Sequence, residues 1–181
     1  MRGGGVEISH HMTGLKMDHL GLVETGRHCS SLQEYDRIPQ QFRRHVMIHQ
    51  LDSTVSYNKH DLISGYYQYR VTGSLSTTNL SGRKIGSGGD TTGLGRWSWQ
   101  RSRGQGNTTL RISTFYRTVP PNQGLGTGSL YAQHLTFFNN TGIRDCPRLS
   151  FLLDFLEAIS TWSKEGDQII VTGDLHKHIN S

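Results

Sequence analysis

The chain has 181 residues, 33% of them hydrophobic and 22 of them glycine. That suits one loop-rich globular domain with a real core and favours it over a helical bundle. With 19 Lys and Arg against 14 Asp and Glu, the net charge is +5, a modest and dispersed excess that fits a polyanionic partner without demanding one. No apolar run approaches the length of a membrane helix, and "MRGGGVEISHHMTGLK" has no apolar stretch of signal-peptide type. The expectation is a protein with no membrane contact, in the nucleus or cytoplasm and not secreted. Cys29 and Cys146 lie far apart and are expected as free thiols.

Residues 1–16 show no periodicity and are expected to be poorly ordered. "HLGLVETG" predicts a short buried strand over Leu20 to Val23, with Glu24 at its end and Gly26 as a breaker. Residues 27–64 are polar and His-rich, and Pro39 allows a short helix in "IPQQFRRHV". "YYQYRVTGSLST" predicts a strand from its aromatic and β-branched content. Residues 79–95 are a Gly/Ser loop or a turn between strands. "RWSWQRSR" and "TTLRISTFYR" both alternate, and "RGQGN" between them is a turn, so 96–117 predicts a β-hairpin. Trp97, Trp99, Arg101 and Arg103 share one face of it. Leu110, Ile112, Thr114 and Tyr116 share one face of the second strand.

Pro120-Pro121 forces an extended loop, and "LYAQHLTFF" fits a helical turn or two. "CPRLSFLLDFLEAISTWSKEG" predicts the clearest helix, with Leu149, Leu152, Leu153, Leu156, Ile159 and Trp162 at helical spacing. Pro147 suits its first turn, and Gly166 ends it. "QIIVTGD" then predicts a strand covered on both faces, because its aliphatic run does not alternate.

Two strands thus end in an acid, Glu24 and Asp174. A strand end holds a ligand still while its loop stays exposed, and two carboxylates among oxygen donors suit Mg²⁺ or Mn²⁺ better than zinc. Each acid taken alone is better read as a turn cap.

"LGLVETG", "LRISTFYRTVPPN" and "GDQIIVTGDLHKHINS", taken in order with "TGLGRWSWQ" and "SLYAQHLTFF", resemble the endonuclease/exonuclease/phosphatase superfamily. The branch found with retroelements and mobile elements is the most similar, and the resemblance spans residues 17–181. It implies a DNase I-like four-layer α/β sandwich, two mixed sheets flanked by helices. It also implies a divalent-metal-dependent phosphodiester hydrolase, here a DNA endonuclease of retroelement origin using Mg²⁺ or Mn²⁺. Glu24 matches the family's metal-binding Glu, and Tyr116 the Tyr beside the scissile phosphate. Asp174 matches the Asp of the Gly-Asp-x-Asn motif that orients or activates water. His176 stands at the Asn of that motif, as a functional replacement or as the mark of a degraded site. The family's final Asp-His pair has no counterpart, so the resemblance implies a C-terminally incomplete copy that cleaves DNA poorly. The alternatives are a catalytically inactive fragment with residual nucleic-acid binding, or action on another phosphoester such as a lipid phosphate.

Glu24 and Asp174 are expected to converge from neighbouring strands of one sheet, with Tyr116 in the same cleft. Arg96, Arg101, Arg103 and Arg117 are the candidate phosphate contacts for DNA. Trp97 and Trp99 fit a packed sheet face better than a base-stacking surface. The remaining histidines show no zinc-ligand spacing and are expected at the surface.

Overall fold

A computed structural model describes residues 8, 11, 12, 14–24, 51–60, 71–119 and 129–176. Its elements run β1 (His19–Leu22), β2 (Leu51–Tyr57), β3 (Val71–Thr77), α1 (Thr78–Ser81), β4 (Lys84–Gly89), β5 (Trp97–Arg103), β6 (Thr109–Tyr116), α2 (Leu130–Thr141), α3 (Pro147–Lys164) and β7 (Asp167–Asp174). The strands form two sheets, β1-β3-β2 and β4-β5-β6-β7. The first is antiparallel throughout. The second is mixed, because β7 joins β6 in parallel after the helical crossover that a parallel pair requires.

The predicted hairpin is present, with Trp97 opposite Phe115 and Arg103 opposite Thr109. Alternation gives its two faces different jobs. On the outer face Trp97 and Phe115 pack with Phe151, Phe155 and Trp162 of α3, joined by partly buried Trp99, Leu152, Ala158, Ile159 and Ile169. Each such large side chain, when fully buried, contributes about 1.5–3 kcal/mol. The helix is long as expected, with Pro147 in its first turn and a left-handed Gly166 just past its end. Its buried stripe differs from the predicted one. Phe151, Phe155 and Trp162 face the sheet, whereas Leu149, Leu153 and Leu156 are 49%, 54% and 60% exposed. Apolar residues occupy more than one face of this helix, and the aromatic sheet selects the aromatic stripe.

The second helix is longer than a turn or two. Ser129 caps it by accepting from the Ala132 N–H, Gly142 closes it in the left-handed region, and Leu130, Gln133, His134 and Phe138 face inward. Residues 84–89, expected within a loop or turn, form β4 against β5. Met12 lies in the core with Leu51 and Leu75 on the outside of the three-stranded sheet, although its stretch was expected to be poorly ordered.

The inner faces of the two sheets meet through hydroxyls and amides. Ser74 bonds Ser98 at 3.3 Å and Thr114 at 3.2 Å. The Gln100 amide donates to the Ser74 carbonyl at 3.1 Å and to Thr54 at 3.4 Å, and Ser76 donates to Gln100. Buried polar groups satisfied in this way avoid the desolvation cost of an unmade bond. The sheets also approach closely: a Cβ on Gly21 would lie 2.6 Å from the Thr114 hydroxyl.

The last strand is not covered on both faces. Ile170 and Val171 are about half exposed, and among the described residues β7 is an edge strand bonded only to β6. Half of its amides therefore point away from the ladder. Hydrogen exchange should be faster in Gln168–Gly173 than in the β5–β6 hairpin. Equal protection of the two, read by NMR or mass spectrometry, would contradict this placement.

Candidate active site

In the register of β6 and β7, Tyr116 pairs with Asp174. Both side chains fall on the inner face, at the strand ends where the ladder stops. The first strand belongs to the other sheet, but it lies over β6 and β7, with Gly21 against Thr114 and Thr172. Glu24 follows β1 and overhangs the same edge. The two acids do come together, yet not from neighbouring strands of one sheet as expected. They meet because the sheets stack.

His176 joins them. Its Nε2 is 3.3 Å from Asp174 Oδ2 and 3.6 Å from Glu24 Oε1. Its backbone N–H donates to Asp174 Oδ1 at 2.7 Å. The ring meets that of Tyr116 edge-on, with centroids 5.0 Å apart at 85°. Glu24 and His176 both have left-handed backbones, with φ of 53° and 45°. For non-glycine residues such backbones cost about 1–3 kcal/mol each and concentrate at functional sites.

The donor set fits a hard divalent ion only in part. Glu24, 37% exposed, offers carboxylate oxygens to solvent. Among the described residues no three His, Cys, Asp or Glu side chains are arranged to hold a metal by themselves. Mg²⁺ or Mn²⁺ at Glu24 would take the rest of its oxygen shell from water and phosphate, as Mg²⁺ commonly does. The imidazole beside it is not a donor that Mg²⁺ seeks.

The candidate phosphate contacts separate into different environments. Arg96 requires correction: it is 1% exposed, and its guanidinium is occupied by Asp90 at 2.6 Å and Asp154 at 2.8 Å, so it cannot reach a nucleic acid. Its backbone does serve the site, since the Arg96 carbonyl accepts the Tyr116 N–H at 2.8 Å. Arg101 is partly exposed and pairs with buried Asp167 at 2.7 Å. Burial raises the Asp167 pKa, but bonds from Thr109, Arg101 and Arg111 outweigh it and hold the carboxyl below its usual range. Arg103 is exposed, on the same outer face, away from Tyr116 and Asp174. Arg117 is next to Tyr116, its backbone N–H donates to the Asp174 carbonyl at 2.9 Å, and its buried Nε meets no acceptor among the described residues.

Trp97 and Trp99 are packed against α3, and Arg111 stacks on Trp99 at 4.2 Å and on Trp162 at 4.9 Å. Not all histidines are at the surface. His134 is fully buried, and desolvation, with Arg96 adding to it, lowers its pKa to about 3. His19 is half-buried beside Ser76 and is lowered by desolvation to about 4. Cys146 is an exposed free thiol, and Cys29 lies outside the described residues.

Sequence patterning missed Arg148. From the first turn of α3 it donates to the carbonyls of Thr118, Leu175 and His176. The available signal was a basic residue directly after Pro147, in a helical turn that favours acids.

No helix among the described residues is long and apolar enough to cross a membrane. No family model matches the sequence, and no curated protein matches it. Solved structures do match. The human Nocturnin catalytic domain, with a bound sulfate anion, aligns at a TM-score of 0.54 and 13% identity, over 98% of this chain and 59% of that domain. Two TDP2 structures from Caenorhabditis elegans, one of them truncated, align at 0.46 and 13% identity, over 96% of this chain. The chain spans 42% and 55% of those two, so it covers about half the length of the structures it matches. Its two stacked sheets and flanking helices have the DNase I-like α/β fold.

Proposed function

We propose that the chain is a divalent-metal-dependent phosphodiester hydrolase acting on nucleic acid and, within that class, a DNA endonuclease of retroelement origin. The observation that carries the proposal is the meeting of Glu24, Tyr116, Asp174 and His176 where the two sheets end together. The retroelement assignment draws on the ordered motifs of the sequence alone. A sulfate anion on the Nocturnin domain adds that this fold accommodates a tetrahedral oxyanion.

A metal ion, when bound, would neutralise charge building on the phosphate oxygens. Glu24 would hold it. Asp174 accepts the proton of the attacking water, and His176, at 3.3 Å, keeps that carboxylate oriented. The Tyr116 hydroxyl donates to the developing charge. Arg117 contributes a salt-sensitive phosphate contact, which needs only charge.

One observation favours a second reading, binding without turnover. The imidazole already lies between the two acids, and once protonated it would take over the neutralising role of a cation.

A plasmid-nicking assay in Mg²⁺ and in Mn²⁺ separates the two. Turnover is expected to be slow, and Asp174→Asn should reduce it by about 10²–10⁴-fold, the usual worth of general base help. Glu24→Gln should abolish the metal dependence. If the wild type nicks in neither metal yet binds DNA at low salt, the chain is a binding module. Nicking that survives both substitutions would remove this cluster from the chemistry.

A further inference from the structure

We propose that Arg148 is a positioning residue for this site: its guanidinium ties the end of β6 to the turn after β7 and thereby holds the His176 ring between Glu24 and Asp174. The role in turnover rests on the hydrolase proposed above; the coupling of Arg148 to His176 does not.

Arg148 sits where electrostatics disfavours a cation. The amide dipoles at a helix N-terminus repel positive charge, and the first turn of α3 contains no acid to offset it. Partial burial and the nearby Arg117 both lower its pKa, burial more strongly. What the residue gains is three carbonyl oxygens. One branch of the fork donates to Thr118, two residues past Tyr116. The other donates to Leu175 and His176, both at 3.5 Å, immediately past Asp174. A planar fork spans two strand ends in this way, while a Lys ammonium is a single point on a flexible stem.

The consequence falls on His176. A left-handed backbone in an L-residue persists only where its surroundings over-determine it. Here both polar ends of the residue are held: its N–H by the Asp174 carboxylate and its C=O by Arg148. With the backbone held, the Cα–Cβ bond of His176 points toward the site, and the ring contacts select its rotamer. The ring then meets Tyr116 edge-on and reaches both acids. Without Arg148, the His176 carbonyl would lose this bond from the guanidinium, and the turn after β7 its tie to the first turn of α3.

The test uses ring-proton NMR of the full chain, wild type beside Arg148→Ala and Arg148→Lys, with plasmid nicking measured in parallel. The wild type should show cross-relaxation between the Tyr116 and His176 rings. Arg148→Ala should lose it and Arg148→Lys should weaken it, while the His134 and Trp97 ring signals stay in place. Turnover should fall by about 10²-fold with KM little changed, the cost of misplacing a group by about an ångström. A folded Arg148→Ala protein with the cross-relaxation at full strength would overturn the proposal. So would His134 and Trp97 signals that move together with those of His176, since Arg148 would then be holding the helix and not the turn. If the alanine variant does not fold, the lysine variant decides by the same criteria. A wild type that never nicks DNA, but loses the ring contact when Arg148 is replaced, would refute hydrolysis and leave the coupling standing.

Discussion

Asp90→Ala should lower the unfolding free energy by about 3–5 kcal/mol, the cost of leaving a buried charge without its partner. Asp90 and Arg96 have side chains that are 0% and 1% exposed. The carboxylate takes Arg96 Nε at 2.6 Å, Nη2 at 3.1 Å and the Arg96 backbone N–H at 3.2 Å, while Thr92 donates through its N–H and its hydroxyl. Burial raises the Asp90 pKa, but the Arg96 and Thr92 bonds prevail and hold it below the usual range. Its contribution is therefore present above the ordinary carboxylate pKa and is lost as pH falls through the depressed folded value. Asp154, at 2.8 Å but 37% exposed, would then face the stranded guanidinium from the helix side, beside the neutral Thr92 hydroxyl at 3.2 Å. Equilibrium urea unfolding reads the loss. The double variant Asp90→Ala/Arg96→Met removes both charges and should recover much of it. A double variant no more stable than the single one would show that the pair matters for packing and not for charge. Because the Arg96 carbonyl accepts the Tyr116 N–H, loosening this loop should also weaken any activity.

Acid should destabilise the protein well before its carboxylates titrate. His134, near 3, and His19, near 4, have folded pKa values lowered from 6.5 by burial. The unfolded chain therefore binds protons in this range that the folded chain refuses. Stability is complete above about pH 6.5 and falls as pH drops toward the folded values. At pH 5 each ring sits about 1.5 units below its unfolded pKa, so each costs about 2 kcal/mol, and the two together about 4 kcal/mol. The urea midpoint at pH 7.5, 6 and 5 measures this. His134→Gln should flatten the dependence by about half. A variant that keeps the wild-type slope would show that His134 is not the group responsible.

Alternation made the hairpin legible, helical spacing found α3, and the two strand-end acids were visible as residues. What the pattern could not convey was which partner each face meets. Period-2 alternation places Tyr116 and Ile112 on one side of a strand, but nothing in "LGLVETG" says that β1 joins the opposite sheet. For that reason Glu24 and Asp174 were expected from neighbours in one sheet, when stacking brings them together. The helix with too many leucines posed the same difficulty, because its buried face depends on the aromatic sheet it meets. Arg96 looked like a surface cation because its partner, Asp90, sits in a glycine-rich turn that has no periodicity. Arg148 was missed because its acceptors are backbone carbonyls, which every residue carries and no sequence marks.

The hydroxyl-and-amide seam between the sheets has a thermal consequence. Exposing apolar surface on unfolding raises heat capacity, and exposing polar surface lowers it. Ser74, Ser98, Gln100 and Thr114 therefore subtract from the increment that Trp97, Phe115, Phe151, Phe155 and Trp162 add on the other side of the four-stranded sheet. The curvature of stability against temperature then originates in the apolar layers outside the two sheets, around α3 and around Met12, Leu51 and Leu75. The interface that aligns Glu24 with Asp174 contributes little to it, so its hold on the two acids changes less on cooling than that of an apolar interface of equal area.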